Sequence, residues 1–256
     1  MPGAKRSRTG ATLSRTQTIN PHRRKRRSAR VSVPRNKLGF PNSMRTTLRY
    51  VERFDVEPAS TSSTVTSFRG NGLYDPRMAV GGHQPRGFDD YMELYGKFTC
   101  SNARIAINAM YEGYTGPSGK DSTGTAEQTV VSATNAPAVP PVCVFIRKSA
   151  DDLASGTTFM KTLETDRTVW TFLSPQGETK VLRLKGNTKE FFGKEYQVGA
   201  EGYYGTDSAD PDNQWQFQIG VARGSDDYPT GNCKVSILAT LEFDVVFTEP
   251  KPLSDS

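Results

Sequence analysis

Apolar and polar residues alternate with a period of two in several separate runs along the chain. Because successive side chains of a β-strand point to opposite faces, this period is typical of a strand with one buried face. A nearly continuous apolar run at 142–146 instead indicates a strand that is covered on both sides. The longest alternating run has its apolar members at Val235, Ile237, Ala239, Leu241, Phe243, Val245 and Phe247. In all, the pattern predicts eight strands, at 46–56, 64–69, 98–110, 142–147, 168–173, 179–185, 214–222 and 234–247.

The first of these strands has an irregular phase at 51–53, where apolar and polar positions cease to alternate cleanly. One short helix is predicted at 88–95, because its apolar residues recur at a spacing of three and four and form a single face. The segment 151–164 is ambiguous and leaves a further short helix open. Segments rich in Gly, Ser and Thr at 112–141 and 190–212 predict long surface loops.

Eight strands joined by long loops predict an all-β fold, and specifically a single eight-stranded jelly roll, which is a Greek-key sandwich of two sheets. A β domain of this length is ordinary as one folding unit. We therefore expect two regions: residues 1–42 as a flexible segment and residues 43–256 as the jelly-roll domain.

Charge is strongly separated along the chain. The first 50 residues hold fourteen Lys and Arg and no Asp or Glu. The remaining residues hold 19 basic and 27 acidic side chains, a net charge of −8. A block of like charge repels itself and calls for a polyanionic partner. Since residues 1–42 also contain few apolar side chains, they are predicted to be disordered in isolation.

The cations of this basic arm are predicted to bind nucleic acid through its phosphate backbone. No aromatic residue precedes Phe40, so stacking on bases is not the expected mode, and binding should be independent of sequence and steeply salt-dependent. The densest part, residues 23–27, also fits a nuclear localisation signal. A tail that serves only solubility or import is the alternative, but fourteen cations without an acid exceed what import needs. The predicted nucleic-acid-binding residues are Lys5, Arg6, Arg8, Arg15, Arg23, Arg24, Lys25, Arg26, Arg27, Arg30, Arg35 and Lys37.

Motifs of enzymes are missing from the sequence. It contains no GxSxG, no P-loop, no GxGxxG after a strand and no HExxH. His22 lies within the basic run and His83 within a turn, so neither is expected to act as a catalytic base. Neither catalysis nor a cofactor is therefore expected. Carboxylates cluster at 151–152, 207–212 and 226–227, where solvated loop charge is expected and a Ca²⁺ site between subunits is the alternative.

The cysteines point to buried thiols rather than to a metal site. Cys100, Cys143 and Cys233 are odd in number, far apart and without a CxxC pair. We expect them to be free and buried in a reducing compartment, and no zinc site is expected. The sequence also has no run of eighteen apolar residues, so no membrane span is predicted, and its basic N-terminus lacks the apolar segment of a secretory signal.

Three blocks of the sequence carry a resemblance to a known family. They are Asn71-Gly72-Leu73-Tyr74-Asp75-Pro76, Gly82-His83-Gln84-Pro85-Arg86-Gly87-Phe88-Asp89 and Tyr95-Gly96-Lys97-Phe98. In this order they resemble a loop, a short helix and the following long strand in capsid proteins of Rep-encoding circular single-stranded DNA viruses, the circovirus-like agents. The acidic Greek-key body with a basic N-terminal arm is also the plan of many small icosahedral virus coat proteins.

The resemblance implies a capsid subunit that self-assembles into a T=1 icosahedral shell of sixty copies, with its arms pointing inward onto circular single-stranded DNA. It implies a place in the virion, and in the host nucleus during assembly. A nuclear import receptor and a cell-surface receptor are the implied host partners, and no membrane is involved.

Other functions remain open at this point. The coat protein of a small RNA virus would have the same plan. A cellular nucleic-acid-binding β-protein is a different class, but it would need a basic body. A carbohydrate-binding jelly roll could use Trp170, Trp215 and several Tyr residues as a sugar platform, although two Trp on alternating strands are expected in the core.

Overall fold

The computed structural model describes residues 41–58, 63–79, 81–115, 141–153, 159–174, 179–224 and 232–252. All of them belong to one compact unit, Leu38–Ser256. Within these ranges the strands are β1 (Ser43–Val56), β2 (Thr64–Arg69), β3 (Tyr95–Thr115), β4 (Val142–Ser149), β5 (Thr168–Leu173), β6 (Thr179–Asn187), β7 (Gln216–Arg223) and β8 (Asn232–Pro250). The helices of the same ranges are α1 (Phe88–Leu94), α2 (Phe159–Leu163) and α3 (Thr188–Phe192).

The eight strands form two antiparallel sheets of four, with the orders β1-β8-β3-β6 and β2-β7-β4-β5. Consecutive strands lie in opposite sheets except for β4 and β5, which pair with each other. This interleaving, in which the chain crosses between two four-stranded sheets, is the jelly roll. The predicted all-β fold and its eight strands are confirmed, and the structure lengthens several strands by a few residues at their ends.

The core lies between the inner faces of the two sheets. β8 is central in its sheet, with β1 and β3 on either side, and all seven of its alternating apolar residues are buried. Each such side chain contributes roughly 1.5–3 kcal/mol on burial. The run at 142–146 in β4 is buried at every position, as predicted for a strand covered on both sides.

β7 is buried more completely than its alternating sequence predicts. All of its residues are buried, including the two glutamines on its outer face. The amide of Gln216 donates to Asp152 Oδ1 (2.6 Å), and the amide of Gln218 donates to the carbonyl of Asp151 (3.1 Å). The carboxylate pair at 151–152 was predicted to be solvated loop charge. Both aspartates are exposed, in agreement with that prediction, and the Asp152 carboxylate in addition supplies an acceptor for the amide N–H of the buried Gln216.

The irregular phase predicted at 51–53 is wrong. Glu52 points to the inner face with Tyr50 and Phe54, and Val51 is 42% exposed on the outer face. The Glu52 carboxylate accepts hydrogen bonds from the Tyr50 hydroxyl and from the guanidinium of Arg77. Burial, followed by the bond to Glu52, raises the pKa of Tyr50 above its usual range. β1 keeps its alternation through this position because Arg77, which follows β2, pairs with the inward-facing carboxylate of Glu52.

The helices also differ from the single helix that the sequence predicts. α1 ends at Leu94, and Tyr95 is already extended and begins β3. α2 falls in the ambiguous segment, and α3 begins immediately after β6, reaching into a segment predicted as loop. The side chain of Asn187 caps α3 by accepting from the backbone N–H of Lys189 (2.7 Å). A helix of five residues is too short to show an apolar periodicity.

Two of the three cysteines can be assessed. Cys100 and Cys143 are free and buried, as predicted, and the side chain of Cys233 lies outside the described residues. Burial raises the pKa of the Cys143 thiol to about 12 and raises that of Cys100 as well, so neither thiolate forms readily. None of the helices in the described part of the chain is long and apolar enough to cross a membrane.

Candidate nucleic-acid interface

The basic arm continues directly into the first sheet. The predicted nucleic-acid-binding residues, 5–37, lie outside the described ranges, so their role stays a prediction. The described chain begins at Pro41, whose carbonyl accepts a hydrogen bond from the Tyr95 hydroxyl (3.0 Å). β1 starts two residues later and forms one edge of the β1-β8-β3-β6 sheet. The arm is therefore covalently continuous with an edge strand of that sheet.

The outer face of the β1-β8-β3-β6 sheet carries an excess of positive charge. The cationic face is here defined as this face without its end at Lys97 and Thr99, which the loop containing Gly199 and Tyr204 covers. It bears seven cations and four acids, whereas the rest of residues 41–256 hold 14 basic and 23 acidic side chains. A net charge of +3 thus lies on one face of a body that is otherwise acidic. The cations are Arg45, Arg49, Arg53, Arg104, Arg183, Lys185 and Lys234, and the acids are Asp55, Glu112, Glu242 and Asp244.

Ion pairs occupy the part of this face around β8. Glu242 pairs with Arg49 (2.7 Å) and lies 3.9 Å from Arg104, whose guanidinium also reaches Asp244 (2.8 Å). A second group joins Lys234 and Arg53 to Glu112, at 3.2 and 3.1 Å. Exposed pairs of this kind contribute little to stability, typically below about 1 kcal/mol each. Their effect here is to neutralise the centre of the sheet.

The edge at β6 keeps its charge. Among the described residues, no acid lies within ion-pair distance of Arg183 or Lys185. A groove of about 540 Å³ runs between β3, β6 and β8. Ala106 and Thr240 form its floor, and the long side chain of Arg104 stands beside them. The two free cations line this groove, so they are accessible to a ligand.

The sequence did not predict this face as a binding site. The sequence shows the alternation of basic and apolar residues in β6, but it does not show which strands lie beside β6. The register places Arg104 opposite both Lys185 and Glu242, and Ala106 opposite Arg183. These residues are separated by about eighty and more than fifty positions in sequence, so only strand pairing brings them together.

The first block of the family resemblance, at 71–76, is tied to the loop before β7. The Asp210 carboxylate accepts from the backbone N–H groups of Tyr74 (3.0 Å) and Asp75 (3.2 Å), and Arg69 Nε lies 3.6 Å away. Asn71 donates to the carbonyl of Asn213 (2.8 Å). Burial raises the pKa of Asp210, opposed by Arg69 and by the two N–H donors. The block therefore has a structural role in joining two loops.

Replacing Asp210 by Ala should destabilise the fold by about 1–3 kcal/mol, because two backbone donors and Arg69 lose their acceptor. Thermal unfolding of the purified variant measures the change. Asp207→Ala is the matched control, since its carboxylate is exposed and only approaches Lys251 (3.5 Å). Equal unfolding midpoints for the two variants would contradict this role of Asp210.

The acidic segment 207–212 does not converge on one point. Asp210 is turned inward, with its side chain 7% exposed, whereas Asp207 faces Lys251. Within the described ranges, no three His, Cys, Asp or Glu side chains lie close enough to hold a metal ion. The described part of the chain thus offers no support for the alternative of a Ca²⁺ site, and the carboxylates at 226–227 lie outside it.

His83 packs against the sheet instead of facing a cleft. Its imidazole stacks on the ring of Tyr50, with centroids 4.4 Å apart and planes 21° apart. Its backbone N–H also bonds the Tyr50 hydroxyl. The predicted local role of this turn histidine agrees with these contacts. His22 lies outside the described residues.

The two tryptophans have opposite environments. Trp215 is fully buried, as expected, but the expectation of a core position is wrong for Trp170, which is 48% exposed. Trp170 lies beside Phe172, which is 41% exposed, and the two ring centroids are 5.6 Å apart. Both project from the outer face of β5, an edge strand. The burial of Trp215 excludes this one side chain from the sugar platform of the carbohydrate-binding alternative, which also included Trp170 and several Tyr residues.

No protein-family profile matches the sequence, and no curated protein is similar to it in sequence. In structure, the chain is similar to desmodium yellow mottle tymovirus, with 13% identity, a TM-score of 0.34 and coverage of 86% of this chain and 95% of that chain. It is similar to tobacco necrosis virus, with 13% identity, a TM-score of 0.40 and coverage of 82% and 98%. It is also similar to the decameric BFDV capsid protein, with 10% identity, a TM-score of 0.38 and coverage of 80% and 99%. The jelly-roll assignment rests on the strand order and register described above.

Proposed function

We propose that this protein is a viral capsid protein that assembles into a T=1 icosahedral shell of sixty copies and packages circular single-stranded DNA. The observation that carries the proposal is the union of two features in one chain: an eight-stranded jelly roll, and an acid-free segment, residues 1–42, whose twelve cations precede its first strand. The protein acts by binding and assembly, without an enzymatic activity.

The arm supplies the charge that packaging requires. Sixty copies of the twelve cations of residues 1–42 bring about 720 positive charges, against one negative charge per nucleotide, which neutralises a large part of a genome of roughly one or two kilobases. The folded domain has a net negative charge, so as a whole it does not neutralise the phosphates of the genome. A cellular nucleic-acid-binding protein would need a basic body, which the net charge of −8 does not provide.

The choice of DNA rests on the three sequence blocks that resemble circovirus-like capsid proteins. The coat protein of a small RNA virus is the second candidate, because the strand order and the arm serve either genome. Assembly of a DNA virus of this kind takes place in the host nucleus, and residues 23–27 fit the import signal that this requires. A cell-surface receptor would then bind the exterior of the virion.

Electron microscopy of the purified protein tests the shell. Sixty subunits packed at protein density give particles about 20 nm across. Nuclease digestion of the particle contents with DNase or RNase then identifies the nucleic acid. Protein that stays monomeric at every salt concentration and pH would contradict the capsid function. Particles that contain only RNA would support the second candidate.

We propose that Trp170 and Phe172 belong to the contact between shell subunits. Monomeric proteins rarely expose adjacent large aromatics, and tryptophan is among the residues that contribute most to protein interfaces. The occupant of this surface is a second copy of the chain, because β5 is an edge strand and the shell supplies a neighbour on every side.

The double variant Trp170→Ser, Phe172→Ser should fold normally and fail to form particles, since both side chains lie outside the sandwich core. Size-exclusion chromatography measures assembly, and circular dichroism confirms the fold. Val198→Ser is the control, because Val198 is 43% exposed and lies away from β5. Particles of unchanged yield from the double variant would show that this surface is not a contact.

A further inference from the structure

The cationic face is the feature of the body that the proposed function does not yet use. Residues 41–256 are acidic as a whole, and yet one face of one sheet carries a net charge of +3. A local excess of positive charge on one face attracts a partner of the opposite sign and is the electrostatic footprint of nucleic-acid binding. We propose that the groove edge of the cationic face, formed by Arg104, Arg183 and Lys185, is a second binding site for nucleic-acid phosphates. The proposal rests on the proposed function and extends it from the arm to the folded domain.

The geometry suits a row of phosphates. Arg183 and Lys185 are two positions apart on β6, so their Cα atoms are about 6.6 Å apart along the strand and both side chains point outward. Arg104 lies directly opposite Lys185 on the neighbouring strand, about 5 Å away. Three guanidinium or ammonium groups, together with the single carboxylate of Glu242, therefore line the groove around Ala106 and Thr240.

Two of the three cations at this edge are available, unlike Arg104 and the cations at the centre of the sheet. Glu242 and Asp244 engage Arg49 and Arg104. Arg183 and Lys185 have no acidic partner among the described residues, so they require no broken ion pair before they bind a phosphate. A phosphate that displaced one of the surface pairs would also lose little, since such pairs are weak.

The side chains of the cationic face are suited to the phosphate backbone of a nucleic acid and not to its bases. None of the outward-facing residues on β1, β8, β3 and β6 is aromatic, so the face offers no platform for base stacking. Arginine and lysine without stacking partners contact phosphates irrespective of base sequence. This is the same mode of binding that the arm is predicted to use.

The groove can retain nucleic acid even if its own affinity is low, because it belongs to the same chain as the arm. The arm enters the same sheet at β1, where Ser43 pairs with Thr248 of β8, and the groove lies at Thr240, eight residues away along β8. With three strand spacings across the sheet, the groove is about 30 Å from this entry point. A strand of nucleic acid held by the arm is therefore at high effective concentration near the groove, and a few additional cations are enough to retain it. One other cation, Arg45, lies on β1 three residues after the end of the arm.

The test is the salt dependence of binding to a fluorescently labelled dT20 oligonucleotide, with the full-length chain and fluorescence anisotropy as the readout. The variant is Arg183→Thr, Lys185→Thr, which removes two cations and keeps good strand formers. For a single strand, each neutralised phosphate contributes about 0.7 to the slope of log K against log salt, so the slope should become shallower by about 1.4. The single variants should each give about half of this change.

The control variant is Lys161→Thr, Lys194→Thr, which removes two exposed cations that lie off the cationic face. Its slope should match that of the unchanged chain. A third variant, with residues 23–27 changed to Gln, reports on the arm alone. Thermal unfolding confirms that each variant is folded.

These variants separate the two proposals. A slope that becomes shallower for the groove variant and not for the control supports the second site. A slope altered by the arm variant but not by the groove variant overturns the second site and leaves the proposed function intact. No change with either variant overturns both. If the groove variant prevents particle formation at an unchanged slope, the groove contacts another copy of the chain, and the phosphate site is overturned.

Discussion

Neutralising the arm should leave the subunit folded and empty its shells of nucleic acid. The variant changes the twelve Lys and Arg of residues 5–37 to Gln. The slope of log K against log salt for single-stranded nucleic acid should become shallower by about 8, at 0.7 per phosphate contact. The fold should persist because every residue of the core cluster lies at or after Leu48. The absorbance ratio at 260 and 280 nm of purified particles measures the nucleic-acid content.

Two further variants make this result specific. Deletion of residues 1–40 should have the same effect, with empty shells or a low yield of shells that contain random host RNA. Changing only residues 23–27 should produce a partial loss, with the slope shallower by about 3.5. If the neutralised protein retains its full nucleic-acid content, the arm does not package the genome and the proposed function loses its main support.

The indole of Trp215 occupies a narrow slot between two glycines. Substitutions that fill or empty this slot should lower the free energy of unfolding more than any surface substitution. The indole lies between Gly70 and Gly186, and a methyl group at either glycine would overlap the ring. The ring cannot move aside easily, because Trp215 Nε1 donates to Thr188 Oγ1 (3.1 Å) and the indole stacks on Phe191 with centroids 4.9 Å apart. Gly186→Ala should therefore cost about 1–3 kcal/mol, and Trp215→Ala about 3–5 kcal/mol.

Denaturant unfolding of the purified subunit measures both losses. Gly96→Ala is the matched control, because a methyl group there meets only ordinary contacts, the nearest at 3.5 Å from the Glu249 carbonyl. In a Trp215→Phe background, Gly186→Ala should cost much less, since the smaller ring leaves room for the methyl group. Additive effects of these two substitutions would show that the glycine and the ring do not share one site.

The slot also explains why α3 has a role in the fold. Thr188 accepts from the indole and donates to the carbonyl of Cys100 (2.8 Å), which connects α3 to both Trp215 and β3. Trp215 lies immediately before β7, so the helix helps to close one end of the sandwich. The sequence contains no signal for this arrangement, because the two glycines and the tryptophan are distant from one another.

Most of the fold followed from the alternation of apolar and polar residues. A period of two along β8 has one physical solution, a strand with one face in a core, and the structure has that strand. The pattern was misleading at Glu52, where an acid points inward. Whether an inward acid is tolerated depends on a partner, and Arg77 lies in a loop after β2 that the local pattern does not connect to β1.

For the candidate site, too, the sequence predicted some features and missed others. The arm was evident from the sequence, because its charge depends only on which residues are present and not on how they pack. The exposed pair at Trp170 and Phe172 was not, since aromatic residues on a strand are buried or exposed according to what covers that face.

By itself, the sequence determined the class of fold, the number of strands and the separation of a basic arm from an acidic body, because periodicity and net charge are local or additive properties. Only the tertiary structure decided which strands are neighbours, and hence that Arg104, Arg183 and Lys185 line one groove and that Trp215 fits between two glycines. Strand order and register are set by contacts between residues far apart in the chain, and no local pattern contains that information.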